Sequence, residues 1–133
     1  MVKYAEDRRY MPSHEWVKLE GEEAVAGISD YAQDELSDVV YVELPAVGEE
    51  FAKGETFAVV ESVKAASDVY MPMTGEILAV NTELEDSPQL VNEDPFGAGW
   101  FIRFRPSDAA QYESLLDAKA YEKHCQEEAE GGG

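Results

Sequence analysis

A single cysteine, Cys125, stands among the 133 residues, so no intrachain disulfide can form, in keeping with a reducing compartment. Histidine is almost as scarce. His14 and His124 lie far apart in the chain, no His or Cys pair has metal-ligand spacing, and a metal centre is not expected. The acids form no EF-hand loop, and no Gly-rich phosphate loop is present. Basic residues are also few, 10 against 29 acidic, for a formal net charge of −19. Such a field repels phosphate backbones and anionic lipid, which argues against nucleic acid and membrane surfaces as partners. It suits a soluble protein that docks briefly on basic faces, and equally a merely solvated acidic surface. Long apolar runs are missing: the longest are strand-sized and broken by Asp, Glu or Pro, too short to span a bilayer. The Met1–Tyr10 stretch mixes Lys3, Arg8 and Arg9 with Glu6 and Asp7 and has no apolar core, so it is not a secretory signal. A start at Met1 without a targeting segment favours a bacterial cytoplasm; a mature mitochondrial matrix protein would look much the same.

What the chain does have is 44% apolar and 11% aromatic residues, enough for one folded domain over 1–133. Trp16–Leu19 and Ala24–Ile28 read as strands about a Glu20-Gly21-Glu22 turn. Asp30, three residues before Gln33, has capping-box spacing and starts a short helix to about Leu36, which Asp38 breaks. Val39–Leu44 is apolar enough for a well-buried strand, stopped by Pro45. Gly48 and Gly54 bracket a further short segment. Glu55–Ser62, Asp68–Met71 and Ile77–Val80 follow as strands, with a bend at Pro72 and a turn permitted by Gly75. Asn81–Gly99 should be mostly loop, functional or pinned by local packing. Trp100–Arg105 alternates as a half-buried strand does. Ser107 then caps a helix carrying Tyr112, Leu115 and Leu116 on one face, and Asp117 caps a second with Tyr121, His124 and Cys125 on one stripe. The β core spans about 10–106 and the helices about 107–127; the tail, 128–133, should fray. Many short strands with helices gathered at the end indicate a mainly β fold, a small barrel or sandwich.

The informative segment surrounds Lys64. Two strand-like runs meet at Val63-Lys64-Ala65, and Gly54 and Gly75 flank them almost symmetrically. That places Lys64 at a hairpin tip, where another enzyme's active site can reach it, with small neighbours in Ala65, Ala66 and Ser67. Asn-Gly and Asp-Gly are absent, so the tip rests on symmetry rather than on turn chemistry. Position alone does not distinguish this lysine from an ordinary exposed one.

Glu61-Ser62-Val63-Lys64-Ala65 resembles the lipoylation motif of glycine cleavage H proteins. The resemblance runs through Ser13-His14-Glu15-Trp16-Val17, Gly27–Gln33, Val40–Pro45, Leu90–Phe96 and Gly99-Trp100, in the family's order and spacing. It implies a barrel-sandwich hybrid like that of lipoyl and biotinyl domains, with a short helix in the N-terminal half and C-terminal helices. It also implies a non-catalytic carrier with lipoate in amide linkage on Lys64, installed by a lipoate ligase or transferase that reads Glu61 and Gly75. The implied clients are the glycine decarboxylase (P protein), the aminomethyltransferase (T protein) and the dihydrolipoamide dehydrogenase (L protein). A cleft for the aminomethyl-bearing arm would use Ser13, Glu15 and Asp68 as polar groups and Ile28, Leu36 and Ala65 as apolar lining. Three positions depart from the family's usual residues: Ser37 for Gly, Ser29 for Thr and Phe96 for Tyr. If Ser37 must take a positive φ, it carries strain of order ~1 kcal/mol. Biotin sites usually place Met on both sides of the lysine, and oxo-acid dehydrogenase lipoyl domains show Asp-Lys-Ala and a Pro/Ala-rich linker; neither pattern is here. An H-like protein kept as a lipoate-relay or binding module stays open.

Overall fold

The computed structural model describes residues 2–131. Its order is β1 (Arg9–Tyr10), β2 (Glu15–Glu20), β3 (Glu23–Ile28), α1 (Asp30–Leu36), β4 (Val39–Glu43), β5 (Glu50–Phe51), β6 (Thr56–Ser62), β7 (Ala66–Tyr70) and β8 (Gly75–Val80). Two single-turn helices follow, α2 (Glu83–Asp86) and α3 (Leu90–Glu93), then β9 (Ile102–Pro106), α4 (Ala110–Glu113) and α5 (Ala118–Gly131). The strands make two antiparallel sheets, one ordered β1-β2-β3-β9-β8-β5 and the other β4-β6-β7. Two facing sheets without closure, with helices gathered at the end, are the expected barrel-sandwich hybrid.

Alternation explains the core. Val17, Ala24, Ala26 and Ile28 of the large sheet, with Ile77, Ile102 and Phe104, meet Val42, Val60 and Val69 of the small one. A second cluster lies under α5, where Tyr121 and Cys125 pack on Tyr10, Trp16 and Val25. The Tyr10 and Tyr121 rings stack 4.1 Å apart and 3° from parallel. The connection into α5 is tied down by paired backbone bonds between Tyr10 and Leu116, at 2.8 and 2.9 Å.

Several sequence expectations are corrected. The α1 cap is Ser29, whose hydroxyl accepts from Ala32 N at 3.1 Å; Asp30 is the first helical residue and accepts instead from Gln33 Nε2 at 2.7 Å. Strand β4 ends at Glu43 and is not well buried: Val39 and Val42 face inward, but Val40 is 54% and Tyr41 50% exposed. Gly75 opens β8 rather than making a turn, and a Cβ there would lie 2.5 Å from the Arg105 carbonyl oxygen. The Asn81–Gly99 stretch is less loop than expected, because α2 and α3 drop Leu84 and Val91 into the core and the Asn81 side chain donates to the carbonyls of Ala98 and Trp100. Ser107 caps no helix: α4 begins at Ala110, whose N–H donates to Asp108 Oδ1, and Leu115 and Leu116 lie beyond it. Asp117 does cap α5, accepting from Ala120 N at 2.8 Å. That helix continues through 128–131, where fraying was expected; residues 132–133 of the expected tail lie outside the described residues.

Candidate functional site

Strands β6 and β7 pair down to Glu61 opposite Ala66, leaving Ser62–Ala65 to close the hairpin. Ser62 organises the tip. Its N–H donates to the Ala65 carbonyl at 2.8 Å, and its hydroxyl accepts from the N–H groups of Lys64 and Ala65 at 3.3 and 3.1 Å. Val63 N donates to the Asp38 carbonyl at 3.0 Å, which ties the tip to the chain leaving α1. Neither Val63 nor Lys64 has a positive φ, so a serine-bonded turn replaces the Asn-Gly chemistry that a primed turn would need. Lys64 is exposed at the extremity.

A cleft of about 210 Å³ lies between α1, β7 and the start of β2, with Glu128 of α5 on its wall. It is smaller than the ~300–1,000 Å³ of a pocket that buries a drug-sized ligand. Five of the six residues expected there line it: Ser13, Glu15, Ile28, Leu36 and Asp68. Ala65 does not; it stays exposed at the hairpin tip. Glu61 is exposed on β6, and Gly75 is buried in the other sheet, against Phe104 and Arg105.

Glu15 is the unusual group. Only 2% exposed, it accepts from the Ser13 hydroxyl on one oxygen and from Tyr70 N at 2.9 Å on the other. Burial pushes its carboxyl up to about 7, against the downward pull of those two bonds. Asp68 adds an exposed carboxylate from β7. The arrangement offers a cation a desolvated carboxylate, a second acid and an apolar floor.

Sequence reasoning missed His14, Tyr31, Glu35 and Glu128 as cleft residues. His14 holds φ +85°, a sparsely populated conformation for a residue with a Cβ. Its ring lies 4.9 Å from that of Tyr31, and its Nδ1 is 2.8 Å from Tyr121 Oη. Glu35 follows Tyr31 by four residues, one helical turn, a periodicity that could have flagged the pair. Nothing local in the sequence foretells that α5 brings Glu128 here. Cys125 is buried, and desolvation raises its thiol, so it is a packing residue rather than a reactive one.

The family model described as glycine cleavage H-protein matches residues 8–128. A glycine cleavage system H protein of Thermus thermophilus is 54% identical over 123 residues, covering 92% of this chain and 96% of that protein. Its counterpart from Bacteroides thetaiotaomicron is 48% identical over 120 residues, covering 90% and 95%. Among solved structures, the glycine cleavage system H protein of Mycobacterium marinum superposes with a TM-score of 0.82 at 34% identity, covering 97% of this chain and 99% of that one.

Proposed function

The chain belongs to the glycine cleavage H-protein family, and from that premise we propose that Lys64 holds lipoate in amide linkage. Family membership makes the chain a lipoate carrier of the glycine cleavage system. When bound, lipoate supplies thiol–disulfide exchange on a long arm; the chain supplies reach, docking and protection.

One observation carries the Lys64 assignment: an exposed lysine at the tip of a serine-braced hairpin, with the cleft wall beginning three residues later at Ser67 on the same strand. The braced tip projects the amine for an attaching ligase or transferase, with Glu61 exposed nearby on β6 for that enzyme to read. Gly75, buried against β9, would act by keeping the neighbouring strands close rather than by touching the enzyme. Asp68 lies about 13 Å back along an extended strand from Lys64, so the arm must fold along β7 to reach the cleft. There Glu15 and Asp68 would accept an ammonium taken out of water, with Ser13 supporting Glu15 and Ile28 and Leu36 excluding solvent. Ala65 would serve by its small size beside the amine.

The clients in this reading are the decarboxylase, the aminomethyltransferase and the flavin dehydrogenase, met in turn by one non-catalytic domain over the whole chain. The homologues are bacterial and no helix among the described residues is long and apolar enough to cross a membrane; a bacterial cytoplasm is the compartment we propose.

The test is mass spectrometry of the full chain co-expressed with a lipoate ligase. A lipoyl-sized increment on the peptide bearing Lys64, absent in Lys64→Arg, is expected. An unmodified Lys64, under conditions that lipoylate a known acceptor, would overturn the assignment.

A further inference from the structure

Folding brings together the two histidines that the sequence keeps 110 positions apart. His14 Nε2 lies 3.2 Å from Glu128 Oε1 and 3.1 Å from Oε2. His124 precedes Glu128 by one helical turn on α5, and its Nε2 is 3.1 Å from the same Oε2. Donor atoms of all three side chains fall within 4.8 Å of one another. From these atoms we propose that His14, His124 and Glu128 form a binding site for a zinc-class divalent cation, which clamps α5 onto the Pro12–Glu15 segment.

The spacing fits. An ion ~2.0–2.1 Å from each of its nitrogen and oxygen ligands holds tetrahedral neighbours roughly 3.4 Å apart, and two of the three pairs already stand at 3.1–3.2 Å. Two imidazoles with one carboxylate suit zinc and its first-row neighbours, whereas magnesium and calcium prefer oxygen alone. His14 is oriented for the task from behind. Tyr121 Oη can donate to Ser29 Oγ and accept from His14 Nδ1–H, which leaves the Nε2 lone pair facing Glu128. The strained φ of His14 aims the ring, as backbone strain at ligand clamps commonly does. His124 Nε2 also lies 2.9 Å from the Pro12 carbonyl oxygen. Metal binding would end that hydrogen bond, and either the carbonyl or a water would complete four ligands. Cys125, the next residue on α5, is buried against Tyr121 and takes no part.

The alternatives are a half-exposed His–Glu hydrogen-bonded cluster without an ion and diffuse cation binding by a chain of net charge −19. The experiment separates these. Full-length chain lacking lipoate, stripped with a chelator, is titrated with Co2+ in excess Mg2+ and then with Zn2+. One Co2+ per chain with the visible absorption of a four-coordinate ion, displaced by Zn2+, is expected, with affinity lowered about tenfold or more in His124→Gln and in Glu128→Gln. Both side chains lie outside the core, so folded variants are checked by circular dichroism. Binding that excess Mg2+ abolishes, or that both variants leave unchanged, would overturn the site.

Discussion

At the scale of single residues, Glu15 makes the sharpest demand. Its carboxyl titrates near 4.5 in the unfolded chain and near 7 when folded. Between those values the folded state binds more protons, so stability is greatest below about 4.5 and falls as pH rises through about 7. A shift of that size corresponds to about 3 kcal/mol. Glu15→Gln should remove this part of the pH dependence. In urea unfolding, the variant's stability relative to wild type should rise by about 3 kcal/mol between pH ~4.5 and ~8; parallel profiles would show that Glu15 does not titrate as its burial implies. Ser37 makes a smaller demand. It sits at φ +68°, ψ −155°, a region that belongs almost wholly to glycine. Ser37→Gly should stabilise by about 1 kcal/mol, read as a higher thermal midpoint. Here the sequence was legible: the departure from a family glycine named the position and the structure supplies its φ. His14 was not legible in the same way, because its partners His124 and Glu128 reach it only through the docking of α5.

At the scale of elements, local signals carried most of the strands and failed where tertiary contacts choose. The β2–β3 hairpin was readable because Glu20-Gly21-Glu22 separates two strand-like apolar runs, and Gly21 takes φ +66° at that turn. The α1 cap was misplaced by one residue, since Ser29 and Asp30 are both good caps and the buried bond to Tyr121 favours Ser29. Helices α2 and α3 escaped notice because four-residue turns have no periodicity to detect; burial of Leu84 and Val91 holds them. Strand β4 reads as apolar but exposes Val40 and Tyr41, so composition did not reveal which side is covered. Helix α5 is the element most dependent on its anchor. Fourteen residues are marginal as an isolated helix, and among its large side chains only Tyr121 is fully buried. Tyr121→Ala should cost about 3–5 kcal/mol and strip hydrogen-exchange protection from α5 amides while β6 and β7 keep theirs. Uniform loss across both would mean that α5 is no separate unit.

At the scale of the whole molecule, the formal charge of −19 acts beyond any single contact. A partner approaching with a basic face is steered in, and salt screens that attraction with a Debye length of about 8 Å at physiological ionic strength. The rate of lipoylation by a ligase at limiting carrier should therefore fall several-fold between about 20 and 300 mM salt, mainly through association. A rate indifferent to salt would reduce the acidic surface to mere solvation. A mainly β barrel or sandwich with helices at the end was legible from strand spacing, and the resemblance to H proteins selected the barrel-sandwich hybrid; the seam between the sheets was not legible. Strand β7 is an outer strand of its sheet, and one of its unpaired backbone donors, Tyr70 N–H, is taken by the Glu15 carboxylate arriving from the other sheet. That bond has a bearing on crowding. An uncovered edge strand is a template on which another copy of the chain can add its own strand. A side chain already seated on Tyr70 N–H occupies that edge at the end of β7 farthest from the hairpin tip, so the same carboxylate that furnishes the cleft also denies a neighbouring copy one backbone donor there.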